Sequence, residues 1–142
     1  MGHVFHEIYL HFNWHTKGDR PMLAGDMEDR VHKLIRNRCR QAKGVFLHGI
    51  GGTDNHVHIA LSIEPSVCVS EAIRQLKGGS AHDINEATGR TSLQWQRGYG
   101  VVSFGKRNLG WVLQYIANQR EHHARGNVQH RLESAGTDEK PG

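Results

Sequence analysis

Only two cysteines, Cys39 and Cys68, occur in 142 residues. They are far apart in sequence and lack the paired spacing of a thiolate metal site. A disulfide scaffold and a structural zinc cage are therefore not expected, and reduced thiols in a cytoplasmic protein are. No apolar stretch approaches the roughly 20 residues of a membrane span. The opening "MGHVFHEIYL" has neither the basic start nor the long apolar run of a signal peptide. No internal repeat is visible. Acidic residues are outnumbered, 14 Asp and Glu against 18 Lys and Arg, for a net charge of +4. That balance suits an anionic partner, although a merely basic soluble protein would show it too. The length fits one domain with one real core.

What is present is a regular alternation of elements. Residues 4–15 alternate as a long strand, with Val4, His6, Ile8, Leu10, Phe12 and Trp14 on one face and Phe5, Glu7, Tyr9, His11, Asn13 and His15 on the other. Residues 26–43 read as a helix, acidic at its start and basic at its end, as the helix dipole favours. Residues 45–50 and 54–63 read as a hairpin across "GGTD". A helix follows Pro65 and Ser66, with Gly78 and Gly79 expected to interrupt it and Ser80 to cap a following turn with Asp83. "QRGYGVVSF" suggests a fourth strand and residues 107–124 a last helix. The order β-α-β-β-α-β-α predicts an α+β fold: a ferredoxin-like antiparallel sheet with helices packed on it and an added C-terminal helix. Residues 1–125 form the expected domain. Residues 126–142 lack any apolar period and are expected to be a flexible tail.

Two stretches carry chemistry. In "TDNHVHIALSI", His56 and His58 leave the same face of a strand, about 7 Å apart, close enough to grip one metal ion. A chain with 12 histidines holds such a pair by chance. The setting gives the pair its weight, because both histidines sit mid-strand among small residues, opposite an apolar row. In "WVLQYIANQREHH", Tyr115 and Gln119 are four apart and share a helical face. Tyr115 alone reads equally as a core aromatic and Gln119 as a surface residue. His122 lies on roughly their face, whereas His123 falls off it and is expected to be solvated. Glu7 and His11 share a strand face that borders the site if the strands neighbour.

The His-hydrophobic-His strand followed by a helical Tyr-x-x-x-Gln resembles the single-tyrosine transposases of the HUH endonuclease superfamily. These include the small insertion-sequence transposases and their REP-associated relatives. The resemblance runs from about Phe5 to Arg125 and takes in "LKGGSAHDIN" and "LQWQRGYGVVSFG". It implies a homodimer acting on single-stranded DNA with hairpin ends. It implies Tyr115 as the nucleophile forming a 5′-phosphotyrosine, and Gln119 as a ligand beside His56 and His58. The family docks the catalytic helix against the partner's histidine pair, with Gly105 and Gly110 as hinge positions here; a single domain could instead place its own helix there, with the glycines merely making a loop. With no thiolate in the set, Mg²⁺ or Mn²⁺ fits better than structural Zn²⁺. The alternative is a non-enzymatic or domesticated hairpin-DNA-binding domain.

DNA contacts are expected from Arg36 and Arg40 on the basic first helix, from Lys77 and Ser80 around the paired glycines, and from Trp95 as a base-stacking ring. Each has a plain reading beside it: a solvated helix face, a helix end with glycine punctuation, and a core aromatic.

Overall fold

A computed structural model describes residues 3–126 and 128–136. Four strands form one antiparallel sheet: β1 (Tyr9–His15), β2 (Val45–Gly52), β3 (His56–Ile63) and β4 (Gly100–Phe104), in the order β2-β3-β1-β4. This is the ferredoxin-like order, reached by two β-α-β halves. Helix α1 (Met27–Gln41) precedes β2, and α2 (Val69–Thr88) precedes β4. The expected α+β architecture is the one observed.

The alternation of β1 and β3 sorts side chains to two faces. Leu10, Phe12 and Trp14 meet Val57, Ile59 and Leu61 on one face, under Val31 and Ile35 of α1 and Ile73, Leu76 and Ile84 of α2. All are buried, and each such side chain contributes about 1.5–3 kcal/mol. The opposite face carries His11, Asn13 and His15 of β1, which pair with Ala60, His58 and His56 of β3 in register. The sheet thus turns an apolar face to its core and a histidine row to the other side.

Several element bounds depart from expectation. The first strand begins at Tyr9, not Val4. The backbone of Ile63 bonds to the carbonyl of Ile8, and then the neighbouring strand turns away through Glu64 and Pro65. Residues 4–7 are left without a ladder, and Val4 and Phe5 are exposed. Helix α2 runs unbroken through Gly78 and Gly79. The side chain of Arg38 lies across Gly79, where a Cβ would meet Nε at 2.6 Å. The same guanidinium makes two hydrogen bonds to Asp83, at 2.9 and 2.7 Å. Close α1–α2 packing thus offsets the helix cost of about 1 kcal/mol for that glycine. Ser80 caps nothing; it is buried and donates back to the Lys77 carbonyl.

The expected last helix is two: α3 (Leu109–Ala117) and α4 (Gln119–Arg125), parted where Asn118 leaves helical geometry at φ −105°, ψ 27°. α3 packs on the histidine side of the sheet. Its Val112, Leu113 and Ile116 cluster with Ala60 and Phe104. Gly49 and Gly51 of β2 permit the close approach. A Cβ on Gly51 would fall 2.2 Å from the Ile116 carbonyl oxygen, and one on Gly49 2.6 Å from Leu113 Cδ2.

Of the tail expected over 126–142, residues 127 and 137–142 lie outside the described residues. Residues 128–136 pack on the sheet as a chain segment with one helical turn, α5 (His130–Glu133). Leu132 is buried there, and Asn13 Nδ2 donates to the carbonyls of Leu132 and Ser134, each at 2.9 Å. An isolated four-residue turn has no period to read. It is held by β1, β4 and α3, through Asn13, Ser103 and Tyr115, rather than by its own sequence. Among the described residues, no helix is long and apolar enough to cross a membrane.

Candidate active site

The histidine row, α3, α4 and α5 enclose one cluster. His56 and His58 are buried on β3. The Nδ1 of His56 lies 2.8 Å from Asn55 Oδ1 and 2.9 Å from Thr53 Oγ1, contacts that fix the orientation of the ring. Its Nε2 is aimed inward, toward Gln119. His58 Nδ1 shares a 2.8 Å hydrogen bond with His11 Nε2, which orients its Nε2 toward the same space. His15 stacks on His56, with ring centroids 4.9 Å apart.

Gln119 opens α4 and is buried. Its Nε2 donates to the Tyr115 carbonyl, which turns Oε1 to His56 Nε2 at 3.2 Å. Tyr115 is buried on α3, its ring stacked between Trp111 and His122 at centroid distances of 5.6 and 4.6 Å. Its centroid is 6.1 Å from that of His58. The phenol accepts from the Gln129 backbone N–H and donates to Glu133 Oε2. Glu133 Oε1 lies 3.1 Å from His58 Nε2, 3.1 Å from His123 Nε2 and 3.8 Å from His56 Nε2. One carboxylate therefore touches both the tyrosine and the imidazoles.

Burial sets the proton affinities. Desolvation, helped by the neighbouring His58, pushes His56 down to about 4. Desolvation also lowers His58. These rings are neutral near neutral pH, the form that binds a cation. Burial, followed by the bond to Glu133, pushes the Tyr115 phenol up to about 12. Burial by itself raises Glu133, but hydrogen bonds from His58 and Tyr115 outweigh it and bring the carboxyl to about 2. The donor set is imidazole nitrogen plus carboxylate and amide oxygen, with no thiolate. It fits a borderline divalent ion.

His56, His58, Gln119 and Tyr115 thus come together within a single chain. Within this one chain, Gly49, Gly51 and Ala60 seat α3 on its own sheet, so Tyr115 stands beside the histidine pair of the same chain. Three contributors escaped sequence reasoning. Glu133 was assigned to the tail. His123 was placed off the helical face, and the break at Asn118 brings both His122 and His123 to the site. Asn13 acts only through the segment it holds. His11 does border the cluster, whereas Glu7 is exposed ahead of the strand.

The expected DNA contacts fall elsewhere. Arg36 and Arg40 are exposed and, with Lys43, line a groove of about 600 Å³ against residues 44–50. Lys77 Nζ donates to the carbonyls of Gln96 and Gly98 at 2.9 and 2.8 Å. Trp95 Nε1 donates to the Lys77 carbonyl and to Ser80 Oγ, and its ring meets Trp14 edge-on. Lys77, Ser80 and Trp95 are one knot tying α2 to the loop before β4, outside the histidine cluster.

Known proteins place this architecture. The chain is 23% identical over 126 residues to the ISDra2 transposase TnpA of Deinococcus radiodurans, covering 84% of this chain and 89% of that protein. It is 28% identical over 127 residues to the transposase for insertion sequence element IS200 of Salmonella typhimurium, covering 85% and 82%. A solved structure described as a transposase from Deinococcus radiodurans superposes with a TM-score of 0.65 at 23% identity, covering 84% of this chain and 96% of that one. A REP-associated tyrosine transposase bound to a REP hairpin superposes with a TM-score of 0.61 at 14% identity, covering 90% and 76%. The family model for IS200-like transposases matches residues 4–119, from the first strand through Gln119, and the chain belongs to that family of HUH single-tyrosine transposases.

Proposed function

We propose that this protein cleaves and rejoins single-stranded DNA through a covalent bond to Tyr115. The observation that carries the reading is the shared carboxylate: the phenol of Tyr115 and Nε2 of His58 address the two oxygens of Glu133. The nucleophile therefore stands one three-atom bridge from the imidazole ligands. A phosphate bound at those ligands would meet the phenol at close range, where orientation contributes most to rate.

His56, His58 and Gln119 would hold a divalent cation, Mg²⁺ or Mn²⁺. When bound, it supplies positive charge that screens and orients the phosphate. The remaining work belongs to the chain. Asn55 and His11 fix the ring orientations, and the Tyr115–Gln119 contact joins the nucleophile to the ligand set. Trp111 and His122 clamp the phenol ring. Attack by the Tyr115 oxygen forms an O–P bond as the P–O3′ bond breaks. The phenol proton is lost and a 3′-hydroxyl is released, leaving a 5′-phosphotyrosine. A phenol, with an ordinary pKa of about 10, leaves far more readily than an alkyl alcohol, so another 3′-hydroxyl can reverse the step. That reversibility is what strand transfer requires.

The substrate reading is DNA with hairpin ends, in keeping with the relative bound to a REP hairpin. Arg36 and Arg40 supply exposed positive charge for its phosphates. The assembly remains a homodimer in this proposal, each chain using its own Tyr115. Incubation with labelled single-stranded hairpin DNA and Mn²⁺ tests the reading. The parent protein should give a denaturant-resistant adduct that chelator abolishes. DNA binding without any adduct would favour a binding-only domain.

A further inference from the structure

We propose that Glu133 and His123 are ligands of the same cation as His56 and His58, so that the cation fastens the C-terminal segment onto the site. This rests on the reading that the histidine pair holds a cation, and it extends that site from the family's strand-and-helix set to two residues beyond Gln119.

The argument is geometric. One ligand atom each from His56, His58, His123 and Glu133 lies within 4.8 Å of the others. Ligand atoms about 2.0–2.2 Å from a common ion are at most about 4.4 Å apart, so the set needs to close by only a few tenths of an ångström around one. The atoms come from three elements, β3, α4 and α5; His56 and His58 are buried, Glu133 is partly buried and His123 is exposed. His123 reaches the cluster only because the helix breaks at Asn118. Its ring centroid lies 4.6 Å from that of His56. Glu133 arrives because Asn13, on the strand beside β3, binds the backbone on both sides of it. Its carboxylate is half-buried and faces three imidazoles, with no Lys or Arg bonded to it among the described contacts. A carboxylate so placed supplies the negative charge that an all-neutral set of two imidazoles and an amide lacks. Three imidazoles and one carboxylate favour a first-row transition ion, Zn²⁺ or the harder Mn²⁺, over Mg²⁺. Glu133 Oε2 would meanwhile keep its bond to the Tyr115 hydroxyl, linking nucleophile to cation.

The test is metal binding by the full chain without DNA. Mn²⁺, Zn²⁺ and Mg²⁺ are titrated calorimetrically into the parent, Glu133→Ala, Glu133→Gln, His123→Ala and His56→Ala. Circular dichroism verifies that each variant is folded. The expected result is Mn²⁺ or Zn²⁺ binding by the parent, at least tenfold tighter than Mg²⁺. Glu133→Ala and His123→Ala should each weaken it at least tenfold, and Glu133→Gln should also weaken it. Mn²⁺ should slow tryptic cutting after Arg131 in the parent and not in Glu133→Ala. Parent-like or tighter Mn²⁺ binding by Glu133→Ala, with faster DNA cleavage, would overturn the inference and recast Glu133 as an anion that blocks the site. That outcome leaves the histidine-pair reading intact. Absence of binding to the parent would overturn both.

Discussion

The seating of α3 on two glycines makes a sharp, unequal prediction. At Gly51 an added Cβ would lie 2.2 Å from the Ile116 carbonyl oxygen, a backbone atom. Ordinary contact between such atoms needs about 3.3 Å, so α3 or β2 must move by roughly 1 Å. Overpacking of this kind costs about 1–3 kcal/mol. For a chain of this size that lowers the melting temperature by about 3–12 °C. Ile116 adjoins Tyr115, so the nucleophile moves with the helix. A misplacement of about 1 Å can cost on the order of 100-fold in rate. At Gly49 the obstacle is Leu113 Cδ2 at 2.6 Å, the free end of a flexible side chain. Gly51→Ala should therefore lose about 100-fold in adduct formation, measured as the initial rate on labelled hairpin DNA, while Gly49→Ala loses less than about fivefold. Equal effects of the two changes, or a parent-like rate for Gly51→Ala, would refute the idea that close backbone packing positions Tyr115.

Other outcomes follow from the same geometry. His56→Ala and His58→Ala should each abolish cleavage, and single-turnover assays with and without chelator check this against the parent. Mixing inactive Tyr115→Phe with inactive His56→Ala should restore no activity after proven subunit exchange, because the cis site leaves one defect in each chain; rescue would show that the helix docks in trans. Arg36→Ala and Arg40→Ala should each flatten the salt dependence of DNA binding by about one unit of log–log slope, measured by titration at several ionic strengths. His32, buried on α1 away from the site, is pushed down to about 4 by burial and then by Arg36. Its folded pKa lies below the unfolded value, so the unfolded state binds more protons in acid. Stability should be full above about pH 6.5 and fall by up to about 1.4 kcal/mol per pH unit toward pH 4. Denaturant unfolding of the parent and of His32→Leu across that range should show the variant with the shallower slope.

Much of this site was legible because strand alternation is strict. His56 and His58 had to share a face opposite Val57 and Ile59, and the apolar row had to be the core side. Tyr115 and Gln119 had to share a helical face, although the helix breaks one residue before Gln119. What the sequence did not disclose depends on tertiary contacts. The pairing of His15 with His56 is a matter of strand order, which periodicity does not encode. The continuity of α2 through Gly78 and Gly79 depends on Arg38 reaching Asp83. His123 is exposed, as its off-face position implies, yet its ring lies against His56 and its Nε2 meets Glu133. Glu133 stood in a stretch with no apolar period, and contacts from Asn13, Tyr99, Ser103 and Tyr115, all distant in sequence, bring its segment to the site. Lys77, Ser80 and Trp95 looked like a nucleic-acid surface because lysine, serine and tryptophan suit phosphates and bases; the same groups satisfy one another in a loop anchor.

The most direct measurement of the central claim is the mass of the protein after reaction with single-stranded hairpin DNA and Mn²⁺, followed by peptide mapping. The account predicts a covalent product whose modified peptide contains Tyr115, joined to the 5′-phosphate of the downstream fragment, with a free 3′-hydroxyl on the upstream one. Tyr115→Phe should bind the same DNA and give no such product. An adduct of parent yield from Tyr115→Phe, attachment at another residue, or cleavage that never passes through a protein-linked DNA would contradict it.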